Sequence, residues 1–436
     1  MTTRPDPQAT PDAPPADRDR TPRALRPFRV GQYRLLAVAL TLSLFGAGVW
    51  LIAVVFQIKG AGGGPIQVSW VATANAVGLT IAVLLGGAVA DRVPQRRILL
   101  TVETIKLALV AGIAVLAVSG ALEVWQLAVV GFVLGIADGF FMPAYSALLP
   151  SILPPEQLLA ANGFEGMLRP AVLQAAGPAI AAVLIAMLSP AAAFAVIGVT
   201  QLAAICCLAL LRRTPLRREL TRERHPALEL LVDVRDGFAY MVRTPWLLAT
   251  LLYACLLVLL IMGPFEVLLP FAVTERTGGD AGTYAIVLGA FGVGGAVSSI
   301  VVASMRLPRR YLTIMNLAWG FGCLPLALVG VTTSLWVMAA AAFVVGVTFS
   351  GASVIWGTLL QRRVPPAMLG RVSSLDFFVS LALMPISMAV AGPLGEAIGY
   401  GAVFMVAAFV PPVLAVVAVL AARMPRDELA HPLDVG

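Results

Sequence analysis

The sequence predicts an all-helical membrane protein with twelve transmembrane spans in two pseudo-symmetric six-helix bundles. Three observations predict it: the composition, the spacing of the apolar runs, and a repeat between the two halves. Of 436 residues, 59% are hydrophobic and only 12% are charged, against about half and about a quarter in a soluble chain. Such a chain lacks the polar residues to cover a water-facing surface, which excludes a cytosolic enzyme, a disulfide-stapled secreted domain and a disordered regulator. Twelve apolar stretches of about 20 residues would occupy roughly 240 positions.

Met1–Pro27 is rich in Pro, Asp, Arg and Ala and has no apolar core of the signal-peptide kind. Such a composition buries too little surface to order itself, so 1–33 is expected to be a disordered cytoplasmic tail. Gly, Pro and charge punctuation then place spans at 34–56, 68–90, 97–118, 124–148, 166–188 and 191–211, an N-terminal bundle over 34–211. A basic loop, 212–245, follows. Its later part, Leu228–Val242, has apolar residues near helical spacing with charges between them, which fits an amphipathic helix lying along the membrane interface with a solvated charged face. Spans at 246–272, 282–304, 311–330, 334–359, 375–398 and 402–422 form a C-terminal bundle over 246–422, and 423–436 is a C-terminal tail. The lengths fit a hydrocarbon layer about 30 Å thick. Helices are expected because each backbone group must find its partner locally.

The bases set the orientation. Lys+Arg total 30 against 23 acids, and only Lys59 and Lys106 are lysines; the arginine skew points to a high-GC bacterial genome. Of the arginines, 27 fall on one side of the predicted membrane and Arg276 alone on the other. The positive-inside rule therefore puts both termini and the 212–245 loop in the cytoplasm of a bacterial plasma-membrane protein. Arginines between apolar runs suit lipid headgroups as partners, and no nucleic-acid partner is expected. Cys206, Cys207, Cys255 and Cys323 all lie in apolar runs and read as small buried hydrophobes.

The halves repeat each other. Gly135–Pro155 aligns with Gly346–Pro366 at an offset of 211, pairing Pro154-Pro155 with Pro365-Pro366. Ala176-Gly177-Pro178 matches Ala391-Gly392-Pro393 at an offset of 215. Two bundles related by an axis along the membrane normal place a substrate site near the midplane and allow one half to rock against the other.

At the turn from span 2 to span 3 stands Gly87-Ala88-Val89-Ala90-Asp91-Arg92-Val93-Pro94-Gln95-Arg96-Arg97. A carboxylate followed by an arginine cluster can lock two helices and release them as the halves move. The segment resembles the signature of the major facilitator superfamily, departing at Pro94, where glycine is usual, and in a one-residue delay before Arg96-Arg97. The resemblance covers about 30–423 and implies gating roles for Asp91, Arg92, Arg96 and Arg97. Leu134–Phe141 (LGIADGFF) and Pro366–Arg371 (PAMLGR) resemble the branch holding enterobactin exporters and macrolide-type drug efflux proteins. That resemblance implies export driven by the proton-motive force, with protons and a small molecule (a drug, siderophore or secondary metabolite) as partners. Gly177-Pro178 resembles part of the antiporter glycine–proline signature, although Ala181-Ala182 stand where paired glycine is usual. With Gly392-Pro393 it reads equally as close helix packing by small residues.

Charges inside the spans are the sharper signal, because each costs about 2.5–3.5 kcal/mol at the bilayer centre. Asp138 falls mid-span and is the first candidate for proton coupling. Its structural alternative is a bond to Arg169, Arg92 or a helix N-terminus. Glu266, directly after Gly263-Pro264-Phe265, is a second proton candidate or an interfacial carboxylate. Glu103 and Lys106, three apart, are expected to pair with each other. Arg371 and Asp376 read as a loop anchor and a helix-start carboxylate of span 11, or as gate contacts to Asp91 and Arg92. In the superfamily, spans 1, 4, 7 and 10 line the cavity, which makes Phe45, Trp50, Phe141, Phe265, Ser353 and Trp356 its wall; aromatics with few polar groups suit amphipathic ligands.

No P-loop or G-x-S-x-G elbow occurs, and His225 and His431 lie outside the spans. No enzyme, cofactor or metal is expected. A proton falling through about 100 mV releases about 2.3 kcal/mol, enough to sustain export by a functional monomer. The competing readings are a nutrient importer or facilitator of the same fold, and a non-transporting sensor or scaffold.

Overall fold

The structure, a computed structural model, describes residues 23–90, 93–212, 235, 237–305 and 307–433. No strand occurs among the described residues. Span 1 is Gly31–Gly60, span 2 Pro65–Ala90, span 3 Gln95–Ser119, span 4 Val124–Ile152 and span 6 Pro190–Ala209. Span 5 starts as Pro155–Leu168, widens into a π-helical stretch, Arg169–Ala176, and ends as Gly177–Met187. Span 7 repeats the device as Pro245–Gly263, the π stretch Pro264–Leu268 and Leu269–Thr277. Pro170 and Pro264 sit at the start of these stretches. A proline brings no N–H and crowds the carbonyl four residues back, so the ladder opens there. Span 8 is Ala281–Ser304, span 9 the pair Tyr311–Phe321 and Leu326–Val331, and span 10 Leu335–Arg363.

Eleven segments among the described residues are long and apolar enough to cross a membrane, and the last, 376–421, holds two crossings. The break is Gly399, whose φ of 80° is costly for any residue with a Cβ. Contacts on either side show the reversal. Gly263 and then Leu268 of span 7 meet Ser387 and then Gly395, rising together. Gly320 and then Gly330 of span 9 meet Ala415 and then Gly401, in opposite order. Twelve crossings result, with both ends of the described chain on one side, called here the near side; the other is the far side.

Glycine sets the tightest crossings, and it does so in both halves. Gly135 lies against the Asn75 carbonyl of span 2, and its repeat mate Gly346 lies against the Phe291 carbonyl of span 8. A methyl group at Gly135 would run into backbone that no side-chain rotation can relieve. The G135A substitution is expected to cost about 1–3 kcal/mol, read as a lowered unfolding temperature of the purified protein. Gly177 packs closely, though less tightly, on Gly48 of span 1, and Gly392 on Pro65 and Ser69 of span 2.

Both ends of the chain differ from expectation. The tail was expected to be disordered through residue 33, but Arg23–Arg29 forms a 3-10 helix and span 1 begins at Gly31. The reason is Phe28, whose ring packs on Tyr33 and Phe164 at 5.2 and 4.9 Å between centroids; residues 1–22 lie outside the described residues. Most of the expected interfacial helix Leu228–Val242 also lies outside them, with helix seen from 237 to 243.

Beyond span 12, Met424–Ala430 is a short docked helix. Glu428 is buried, and its carboxylate accepts from the Thr313 N–H at 2.6 Å and the Thr313 hydroxyl at 3.0 Å, capping the start of span 9. Asp427 pairs with Arg363 at the end of span 10, at 2.6 Å. Burial pushes the Glu428 carboxyl above its ordinary value, while its bonds to Thr313 pull the other way. A raised acid stabilises the folded form most below the ordinary carboxylate value, and that contribution is lost as pH rises through the folded value. The hydrogen-exchange protection factors of 424–430, corrected for the intrinsic base-catalysed rate at each pH, are therefore expected to be highest in mild acid and to fall toward neutrality. In E428Q the neutral amide still accepts from Thr313, and this pH dependence should flatten.

Candidate transport site

Span 3 builds the charged centre of the N-terminal lobe. Glu103 and Lys106, three residues apart, lie on its inner face with side chains 0% and 6% exposed. Span 1 contributes Ser43, whose hydroxyl donates to Glu103 Oε1 at 2.7 Å. Span 4 contributes Asp138, whose Oδ1 accepts from the Lys106 ammonium at 2.6 Å. Lys106 lies 3.8 Å from Glu103 Oε1 and 5.1 Å from the centroid of the Phe141 ring. Glu103 Oε2 has no hydrogen-bond partner. The cluster thus joins two carboxylates to one ammonium, and such buried charges survive only when paired.

Asp138 sits where this cluster meets open space. Leu127, Gly131, Leu134, Phe141 and Tyr145 recur with it at three- and four-residue intervals, and all five are buried. That spacing is one face of a helix. The Asp138 side chain, by contrast, is 46% exposed. It lines a gap of about 40 Å³ with Trp50, Asn75 and Gln201, room for a water molecule, and Gln201 Oε1 is unpartnered. The carboxylate is therefore on the lobe's interior face. Among the described residues its ion-pair partner is Lys106; of the expected alternatives, Arg92 lies outside them. Arg169 instead points a guanidinium nitrogen at the Met142 sulfur, 2.8 Å away. The Glu103–Lys106 pair expected from their spacing is present at 3.8 Å, and Asp138 joins it as the nearer acid at 2.6 Å.

In the C-terminal lobe, Glu266 is half-buried in the π stretch of span 7, beside Phe265, whose ring packs on Phe291 at 4.7 Å. Asp376 was read as a helix-start carboxylate, but the helix begins at Pro366, more than two turns earlier. There its carboxylate accepts from the Trp356 indole N–H at 3.1 Å and the Ser380 hydroxyl at 3.4 Å. Trp356 in turn stacks edge-on or tilted against Trp246 and Trp319.

The remaining expected site residues are spread out. Trp50 packs on Phe194, Phe141 is buried on Tyr145, and Phe45 is half-buried where span 1 meets Gly177. Ser353 is exposed, with its hydroxyl returned to the Phe349 carbonyl of its own helix. Arg96 was read as a gate. It instead donates to the Leu208 and Ala209 carbonyls, closing the end of span 6 in its own lobe. Arg97 is exposed. Asp91, Arg92 and the Arg371 side chain lie outside the described residues. Pro178 is buried beside Gly48 and Pro393 is exposed.

Two contacts between the lobes went unseen in the sequence, both on the far side. The Lys59 ammonium of span 1 donates to the Thr274 hydroxyl of span 7 at 2.6 Å and lies near the Phe56 and Phe271 rings. The Gly392 N–H of span 11 donates to Ser69 Oγ of span 2 at 2.8 Å. Neither pair carries a sequence signal, since the partners are 215 and 323 residues apart.

Two matched six-helix lobes, tied to each other on the far side and carrying a charged centre, define a membrane transporter of the major facilitator class. The chain belongs to the transmembrane secretion effector family, whose profile matches residues 22–433. It is similar to the multidrug efflux pump Tap of Mycolicibacterium fortuitum, 26% identical over 409 residues, covering 91% of this chain and 97% of that one. It is also similar to macrolide efflux protein A of Streptococcus pyogenes, 24% identical over 341 residues, covering 75% and 83%. Solved structures share the fold: the nucleoside transporter NupG at TM-score 0.68 and 13% identity, covering 89% of this chain and 98% of that one. A bacterial homologue of the iron transporter ferroportin in an inward-facing state gives 0.67 at 19% identity, covering 91% and 99%.

Proposed function

We propose that this protein is a proton-coupled exporter of amphipathic small molecules in a bacterial plasma membrane, with both termini cytoplasmic and the far side external. One observation carries the reading: Lys106 stands between two carboxylates, one sealed and one open to the lobe interior. With both acids ionised the cluster holds one excess negative charge. A proton arriving on Asp138 removes that excess and frees the ammonium to move toward Glu103, already 3.8 Å away. Proton occupancy then changes how spans 3 and 4 are tied, which is the differential interaction that any coupled transition requires. Glu266, beside Phe265, is the second proton or cation site. Similarity to multidrug and macrolide efflux proteins supports export and a drug-like substrate.

The test uses everted vesicles, with erythromycin as a macrolide probe and ethidium as a cationic one. Addition of a carried probe should collapse an imposed pH gradient, read with a fluorescent amine. Concentrative uptake of the probe that survives full dissipation of both the pH gradient and the membrane potential would remove proton coupling, and no uptake of either probe into energised vesicles would count against drug export.

A further inference from the structure

Ser387 in span 11 is 1% exposed, and its hydroxyl bonds both backbone groups of one turn of span 7. It accepts from the Gly263 N–H at 2.8 Å and donates to the Leu259 carbonyl at 2.7 Å. In an uninterrupted α-helix those two backbone groups bond each other. Directly beyond them Pro264 brings no N–H, and Pro264–Leu268 runs as the π stretch. A side chain at Gly263 would run into the Ser387 carbonyl, so the two helices cross backbone to backbone here. A side chain competing for the ladder's groups and a proline are two recognised causes of a helix break, and Ser387 and Pro264 act on adjoining residues of span 7.

The far half of span 7, Pro264 to Thr277, carries Phe265, Glu266 and the Lys59 acceptor Thr274. Five residues along span 11 from Ser387, Gly392 bonds Ser69 of the opposite lobe. Span 11 is therefore tied by one hydroxyl to the break in span 7 and by another to span 2.

We propose that Ser387 is a positioning residue. Its hydroxyl holds span 7 open at Gly263-Pro264, so that the far half leans onto Lys59 and closes the far end of the pathway. Without the hydroxyl, Leu259 and Gly263 bond each other directly, the turn tightens, and Thr274 swings off Lys59. The proposal rests on the two-lobe transporter reading but not on which compound is carried, so its test needs no substrate.

The test uses the full chain in lipid nanodiscs, with Cys206, Cys207 and Cys255 replaced and spin labels at G60C and T277C, the far ends of spans 1 and 7. The parent is expected to give one narrow, short distance distribution. S387A should shift and broaden it toward longer distances while the protein still elutes as a single species, and S387T, which keeps the hydroxyl, should retain the parental distance. If S387A does not fold, S387V, which matches the Thr variant in shape but has no hydroxyl, takes its place in the same comparison. A parental distribution in the hydroxyl-free variant overturns the proposal, and so does a Thr variant displaced as far as the Ala one.

Discussion

The D138N substitution is expected to abolish probe-dependent collapse of a pH gradient in everted vesicles, and with it concentrative uptake. Asparagine keeps the size of the side chain and its ability to accept from Lys106, but it neither binds nor releases a proton in the working range. The lobe should therefore fold while coupling is lost. A gradient of one pH unit with about 100 mV supplies about 3.7 kcal/mol per proton, enough for a several-hundredfold concentration ratio. D138N should reduce that ratio to about one while leaving probe binding and downhill exchange measurable. An Asn variant that still concentrates ethidium or erythromycin at the parental level would take Asp138 out of the mechanism.

The K106M substitution should have the largest effect on stability. Glu103 is sealed, with its Oε2 already unpartnered, so removing the ammonium strands a buried charge. Losing one partner of a buried pair costs about 3–5 kcal/mol; Asp138, being half-exposed, should contribute less of this than Glu103. The expected readout is a sharply lowered unfolding temperature, with most of the loss recovered in E103Q/K106M, where no excess charge is left inside. If the double variant is no more stable than K106M, the damage lies in packing against Phe141 instead. Both variants should fail in coupled transport, since Asp138 has lost the group whose attachment reports its protonation.

Much of this was legible without coordinates, and the reason differs from residue to residue. Asp138 stood out because an acid in the middle of an apolar span is expensive and must have a use or a partner. Gly135 and Gly346 were legible as matched positions of the repeat, and the structure adds that helices cross at both too closely for a side chain. Lys106 as the partner of Asp138 was not legible, because the two are 32 residues apart on different helices, whereas its pairing with Glu103 followed from helical spacing alone. Asp376 was misplaced for a related reason: Pro366 marks the true start of its helix, but the polar residues before 375 looked like loop. Phe28 was hidden by the composition around it, since one aromatic ring in a proline-rich stretch orders only if other rings stand ready to receive it.

The sequence by itself determined that this is a twelve-span protein in two repeated halves, with its arginines gathered on one side. Those properties come from the cost of placing apolar, polar and charged groups along the membrane normal, and they are read along the chain. Which groups meet across different helices was decided only by the tertiary structure. Ser43, Glu103, Lys106 and Asp138 come from three helices, and Lys59 with Thr274, Ser69 with Gly392, and Ser387 with Leu259 and Gly263 each join distant segments. Hydrogen bonds of this kind depend on helix rotation and crossing point to within about an ångström, and hydropathy, which averages over whole turns, carries no record of either.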